Sequence, residues 1–267
     1  MSHGNQHTIK DSVSLDGIGV HSGARATLTF VPAPAGHGIR FRRTDLEGSP
    51  EIPVDLDHVA GTELGPSLGE GEVKVQTVEH VLAALAAKGL DNVLMELSGP
   101  EPPILDGSFQ LYLEALEALG VEDQGTPRSV IQIPEPVTLE LETGEFYVAT
   151  PGDGLRISAT IEFDHPGIGR QFGTFFFSEG SFAEEIAPAR TFTFYEDIKP
   201  LLDKGLIKGG SLENAVVIRG EEVLSKEPMR FHNEFARHKA LDLIGDLLLS
   251  GKRIAGHLSL IHISEPT

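Results

Sequence analysis

Three stretches of the chain repeat their apolar residues at helical spacing, and shorter stretches around them alternate as strands do. Thr77 to Gly89 predicts a helix with Thr77 as N-cap, an apolar face of Val78, Val81, Leu82 and Leu85, and Gly89 as the stop. Asp106-Gly107-Ser108 opens a second, which carries Phe109, Leu113, Leu116 and Leu119 and closes at Gly120. The third runs from Arg230 to Ser250. Two shorter helices are predicted at Ser181 to Ile186 and Glu196 to Leu202. Strands are predicted in the first half at His7 to Leu15, Ala26 to Val31, Gly38 to Arg42, Glu51 to Leu56 and Asn92 to Leu97, with Pro53 favouring a sheet edge. Gly61 to Gly71 reads as a glycine-rich loop or hairpin.

After Asn92 to Leu97 and the second helix comes a polar stretch, Val121 to Arg128, holding Gly125 and Pro127. Strands then resume at Ser129 to Ile133, Val137 to Glu142, Glu145 to Ala149, Leu155 to Glu162, Gln171 to Phe177 and Ala215 to Arg219, and Thr191 to Phe194 reads as a short strand or turn. Strands followed by helices, twice over, fit two successive α+β halves better than alternating βαβ units. The boundary is placed in the polar stretch, giving domains 1–125 and 126–267. The halves share no convincing sequence repeat.

Composition narrows the function. The net charge of −19 argues against general binding to nucleic acid or an anionic membrane surface. It leaves room for an anionic small ligand, because a few cations can dominate one cleft. With no cysteine, a metal would be held by His, Asp or Glu alone. No apolar run reaches the roughly 20 residues of a membrane span, and the N-terminus MSHGNQHTIK has no secretory h-region. A cytoplasmic, monomeric protein without stable membrane insertion is expected.

The third helix sets Phe235, His238, Lys239, Asp242 and Asp246 along one side and Ala240, Leu241, Ile244, Leu247 and Leu248 along the other. His238 and Asp242 are spaced i, i+4 and can reach one point. An isolated H-x-x-x-D is more often an ion pair on a solvated face than a metal site. Far upstream, Glu79 and His80 fall in the first turn of the Thr77 helix. The helix dipole there would keep Glu79 ionised, as a general base requires, and His80 could ligate a metal; a merely polar first turn is the plainer reading. Taken together, His80, His238 and Asp242 supply three ligands and leave a fourth position for water, the pattern of a hydrolytic zinc site.

These residues resemble a known family, the bacterial UDP-3-O-acyl-N-acetylglucosamine deacetylases, zinc amidases of lipid A synthesis. The likeness is carried by GIGVHSG at Gly17, TVEH at Thr77, DNVLMEL at Asp91, PPILDGS at Pro102, ARTF at Ala189, GLIKGGSLENAVV at Gly205 and RFHNEFARHKALDLIGDL at Arg230. It implies two similar two-layer α+β domains, with helices packed between sheets and the active site at their junction. It implies zinc (iron could occupy the same ligands) on His80, His238 and Asp242. By the same resemblance Glu79 is the general base, Thr191 stabilises the oxyanion, and Asp246 orients a catalytic histidine. Phe192, Gly210 and Ser211 form the substrate wall, and Lys239 contacts the UDP-linked acylated amino sugar. Residues 191–219 form the acyl-chain passage, although Phe192, Phe194, Leu202, Leu206, Ile207, Val216 and Val217 would also serve as ordinary core.

The likeness runs to about Gly256. The family goes on with a strand, a glycine-flanked histidine and a final helix, and neither His257 nor His262 stands in that context. From about Leu258 the tail reads as foreign, like translated sequencing adapter. The expectation is therefore a second domain incomplete at its C-terminal end and a chain of weak or no activity. Two alternatives to the deacetylase stay open: a non-catalytic zinc or UDP-acyl-sugar binding protein, and a zinc hydrolase of another N-acyl sugar. A structural domain without metal is a third.

Overall fold

Two sheets of like topology enclose a pair of crossed helices. The computed structural model describes residues 4–62, 65–142, 144–176 and 181–264. The first half runs β1 (Asn5–Ile9), β2 (Val13–Ile18), β3 (Arg25–Pro32), β4 (Ile39–Arg43), β5 (Glu51–Pro53), β6 (Val59–Gly61), β7 (Ser67–Glu70), β8 (Val73–Val75), α1 (Glu79–Lys88), β9 (Val93–Leu97), α2 (Gln110–Leu119) and β10 (Val121–Pro127). The second runs β11 (Val130–Gln132), β12 (Val137–Glu140), β13 (Glu145–Thr150), β14 (Leu155–Phe163), β15 (Arg170–Phe176), α3 (Ser181–Glu185), β16 (Phe192–Phe194), α4 (Tyr195–Asp203), β17 (Val216–Arg219), β18 (Glu222–Leu224), α5 (Glu234–Leu248) and β19 (Arg253–Ser264). The fold is α+β.

The first large sheet has the order β2-β3-β9-β4-β5, and the second β12-β13-β19-β14-β15. In each, a late strand enters the middle, antiparallel to one hairpin and parallel to the other: β9 beside β3 and β4, β19 beside β13 and β14. Pro53 sits on the edge strand β5, where its missing N–H costs no ladder bond. Among the described residues, the predicted single strand His7 to Leu15 is two, broken at Lys10–Ser12. Val121–Pro127, read above as the polar boundary, is a strand that pairs antiparallel with β1. Its alternation is polar on both faces because it lies at the surface, so hydrophobic period carried no signal. The stretch from Leu258, expected above to be foreign, supplies the second half of the central strand β19.

The helices are sandwiched between the sheets. Helix α1 is buried on almost every side from Glu79 to Leu85, not on one face only. It ends where Gly89 turns left-handed (φ 81°), with Gly89 N–H donating to Ala86 O and Leu90 N–H to Leu85 O. The expected cap fails: Thr77 precedes the N-cap Val78, takes φ 55°, and turns its hydroxyl to Glu101. Helix α2 is amphipathic, burying Tyr112, Leu113 and Leu116 against α1 and β2. Helix α5 lies against α1 on one side and against β14, β15 and β19 on the other, so both of its faces are used.

The α1–α5 crossing is close. A Cβ at Gly245 would stand 2.2 Å from the carbonyl oxygen of Glu79, so only glycine admits this approach. Gly245→Ala is expected to separate the helices and lower unfolding free energy by about 1–3 kcal/mol, the usual range for overpacking. Urea denaturation of the variant beside the parent checks it, and an unchanged midpoint would show that the crossing tolerates a methyl group.

Candidate active site

The crossing places the start of α1 over the middle of α5. His80 follows Glu79 in the first turn of α1, and His238 and Asp242 lie one turn apart on α5. The two imidazoles meet edge to face with centroids 5.0 Å apart. Asp242 Oδ1 is 3.3 Å from His238 Nε2 and 4.0 Å from His80 Nε2. One ligand atom from each of the three lies within 4.8 Å of the others, a group that could hold a metal ion. Ligands at 2.0–2.1 Å from a tetrahedral cation stand roughly 3.3 Å apart, so modest side-chain adjustment closes this set on one ion.

Protonation states suit that use. His238 Nδ1 lies 3.0 Å from the carbonyl of Ala189, which can only accept, so the proton sits on Nδ1 and Nε2 offers its lone pair to the cluster. Burial, with His238 alongside, pushes His80 down to about 3. Burial likewise lowers His238. For Asp242 burial works upward, but His238, Lys239 and His80 outweigh it and hold the carboxyl below its ordinary value. Two neutral imidazoles and a carboxylate are the ligating forms.

Glu79 departs from expectation. The helix N-terminus contributes only ~0.3–1 kcal/mol; burial, followed by the Asp242 charge, raises Glu79 well above its ordinary value instead. Its Oε2 is buried with no hydrogen-bond partner among the described residues, and a Cβ at Gly65 would come within 2.9 Å of Oε1. Asp246, a turn beyond Asp242, is pushed up to about 7 by its surroundings and by Asp242, while its side chain still reaches solvent.

Lys239 Nζ donates to Asp242 Oδ2 at 3.2 Å and stands 5.7 Å from the centre of the Phe192 ring. The Asp242 charge raises Lys239, so it stays an ammonium. Thr191 is fixed by its backbone: its N–H donates to Gly107 O at 2.8 Å, and its carbonyl accepts Val216 N–H at 2.8 Å. Thr191, Phe192, Gly210 and Ser211 all line a cavity of about 610 Å³ that also contains Glu79, His80, His238, Lys239 and Asp242. Of the ten site residues named from sequence, only Asp246 lies outside its lining.

The 191–219 insert divides its apolar residues between cavity and core. Along β17, Val217 and Arg219 face the cavity, while Val216 and Ile218 pack with Ile161 and Phe235. Phe192, Leu202 and Ile207 line the cavity; Phe194 packs on the core cluster and Leu206 is exposed. Ile198, Leu201, Leu212 and Leu224 extend the apolar wall. Sequence reasoning missed His21, Tyr195 and Arg219 in the lining. It also missed Glu101, buried between prolines, whose one signal was a charge inside an otherwise apolar turn.

Ion pairs fasten the site from behind. Glu234, fully buried, accepts from Arg190 Nε at 2.8 Å and from the N–H groups of Arg190 and Arg230. Arg230 reaches Asp106 across the halves at 2.8 Å.

An α+β chain with a His-His-Asp cluster on the floor of an apolar cavity defines a class: candidate metal-site proteins with room for a lipid-like chain. The sequence profile of the UDP-3-O-acyl N-acetylglycosamine deacetylase family matches residues 6–264. The UDP-3-O-acyl-N-acetylglucosamine deacetylase of Myxococcus xanthus (strain DK1622) is 45% identical over 255 residues, covering 96% of this chain and 81% of its own. That of Bdellovibrio bacteriovorus (strain ATCC 15356 / DSM 50701 / NCIMB 9529 / HD100) is 44% identical over 96% of this chain and 84% of its own. That of Anaeromyxobacter sp. (strain Fw109-5) is 44% identical over 98% and 85%. The chain belongs to the UDP-3-O-acyl N-acetylglycosamine deacetylase family.

Burial works to raise Glu234, but the Arg190 side chain and the backbone N–H groups of Arg190 and Arg230 outweigh it and hold the carboxyl below its ordinary value. A depressed folded value means stability present at neutral pH and lost as pH falls through that value. Glu234→Ala is expected to cost about 3–5 kcal/mol at neutral pH by stranding Arg190 and to flatten the acid limb of the stability curve. Urea titrations from neutral to acid pH check both.

Proposed function

We propose that this chain hydrolyses the N-acetyl group of a UDP-3-O-acyl-N-acetylglucosamine, releasing acetate and the free amine, a step of lipid A synthesis. The observation that carries the reading is the joining of the His80-His238-Asp242 cluster to the apolar cavity, one polar floor beneath one apolar passage. In this reading the chain is two domains, 1–125 and 126–267, with the reaction at their junction.

The donor set fits zinc: two neutral imidazoles, one fixed in its tautomer by Ala189, and one carboxylate. When bound, zinc supplies a Lewis acid and an acidified water near neutral pH. Glu79, alongside, takes a proton from the attacking water as oxygen adds to the acetamide carbonyl. A cation would offset the burial that holds Glu79 high and return it to the basic form. Thr191 donates its hydroxyl to the developing oxyanion, and its anchored backbone keeps that donor in place before the reaction begins. The C–N bond then breaks, acetate leaves, and the nitrogen takes up a proton. Asp246 is the carboxyl that the family resemblance pairs with a catalytic histidine.

Lys239 offers its ammonium to the polar end of the substrate, with Phe192 and the Gly210-Ser211 turn walling it. The acyl chain lies among Ile198, Leu201, Ile207 and Val217, gaining about 0.8 kcal/mol per buried CH₂ before the costs of ordering. That gain sets long acyl chains above an unacylated sugar.

Two measurements test this. Zinc-loaded protein should release acetate from the 3-O-acylated UDP sugar and hardly at all from UDP-N-acetylglucosamine; equal rates on both would end the proposed passage. Glu79→Gln should retain zinc yet lower kcat by about 10²–10⁴-fold, whereas Asp242→Asn should lower zinc content itself.

A further inference from the structure

Glu101 is 1% exposed, and among the described residues no ion pair reaches it. Four neutral donors converge on it instead. Its oxygens accept the backbone N–H groups of His21 (3.1 Å) and Ser22 (2.9 Å), the Ser22 hydroxyl (2.8 Å) and the Thr77 hydroxyl (2.8 Å). Burying a carboxylate is costly unless its lone pairs are satisfied, so this residue is held for what it joins.

It joins two parts of the site that have no covalent link nearby. On one side is Thr77, a β-branched residue at φ 55°, a region such side chains seldom enter. Thr77 leads directly through Val78 into Glu79 and His80, so its conformation sets the angle at which α1 delivers them. On the other side is the loop of residues 19–23. Val20 O accepts Gly209 N–H at 3.0 Å, and His21 O accepts Lys208 N–H at 3.2 Å. The contact is tight: a Cβ at Gly209 would lie 2.2 Å from Gly19 O, and one at Gly19 2.2 Å from Glu101 Oε2. Ile207, at the head of that turn, is, among the described residues, the second β-branched residue held left-handed (φ 54°), and it lines the cavity. The two strained residues are thus anchored, directly and through one loop, to a single side chain.

We propose that Glu101 is a positioning residue that ties the wall of the acyl passage to the metal-bearing end of α1, keeping cluster and passage in one register. The acyl-substrate part of this proposal rests on the deacetylase reading above; the zinc and wall parts do not.

The test uses Glu101→Gln with two single-branch variants, Ser22→Ala for the wall and Thr77→Gly for α1, glycine also relieving the backbone strain. Zinc affinity is read by chelator competition, the wall by amide hydrogen exchange at Lys208 and Gly209, and the passage by KM against kcat for the acylated substrate. Glu101→Gln should weaken zinc binding and speed exchange by about 10- to 100-fold each, the worth of a hydrogen bond to a charged acceptor, and raise KM more than it lowers kcat. Ser22→Ala should move exchange and KM alone, and Thr77→Gly zinc affinity alone. A folded Glu101→Gln protein with a lowered Tm but unchanged zinc affinity and exchange would overturn the proposal. Should that variant not fold, unchanged zinc affinity in Thr77→Gly together with unchanged exchange in Ser22→Ala would overturn it equally. Acetate release by the parent protein bears on the deacetylase reading alone, and the zinc and exchange measurements decide the role of Glu101 whatever its outcome.

Discussion

Everything at the site depends on how near α1 comes to α5. Backbone meets backbone at Gly245 and Glu79, a distance that any side chain on Gly245 would forbid. Ala83, Ala84 and Ala240 are buried in the same core, and small side chains suit a close crossing. Helix α1 is also unusually enclosed for a helix of ten residues, so its tilt is fixed by neighbours on all sides. Side chains as short as His and Asp can share one cation only if their helices are held this closely. A crossing an ångström wider would leave His80 facing His238 without a common ligand position.

That closeness has a consequence for charge. The helices bring Glu79 and Asp242 together, with Asp246 one turn further along α5, and burial followed by the Asp242 charge raises Glu79 and Asp246. Asp242 alone stays low because two imidazoles and Lys239 surround it. Behind this layer, Glu234 and Arg190 form a buried pair whose remaining donors and acceptors are met by backbone. The second layer is therefore electrically closed, and the first is left open.

The helices and most strands were legible in the sequence because their apolar periods are strong and their ends are marked by glycine. Gly89 and Gly120 close α1 and α2 where the pattern placed them. The faces were less legible. Helix α5 showed one polar and one apolar side, yet Phe235 and His238 are as buried as Leu241 and Ile244, because His238 meets His80 of α1 and Phe235 packs with Ile161, Val216 and Ile218. Strand β10 was invisible because a surface strand pairing only with β1 needs no apolar face. Thr77 looked like a cap since helix-start chemistry and long-range chemistry use the same hydroxyl; nothing local distinguishes a donor to N3 from a donor to Glu101. The cluster itself was readable only by joining two weak half-motifs 158 positions apart, His80 and His238.

The division of the insert shows how one short strand serves two masters. Alternation along β17 sends Val216 and Ile218 inward and Val217 and Arg219 toward the cavity, so the same four residues build core and passage without added length. The passage is apolar, while the protein as a whole carries a net charge of −19 and its proposed substrate is an anion. Attraction over long range cannot bring them together. The site needs its own positive charge, and Lys239 and Arg219 stand in the lining with the carboxyls of Glu79, Asp197 and Asp242. A divalent cation on His80, His238 and Asp242 changes the local sign, so the metal would serve recognition of the anionic substrate as well as hydrolysis. Metal binding and substrate binding are then linked by charge before any bond is broken.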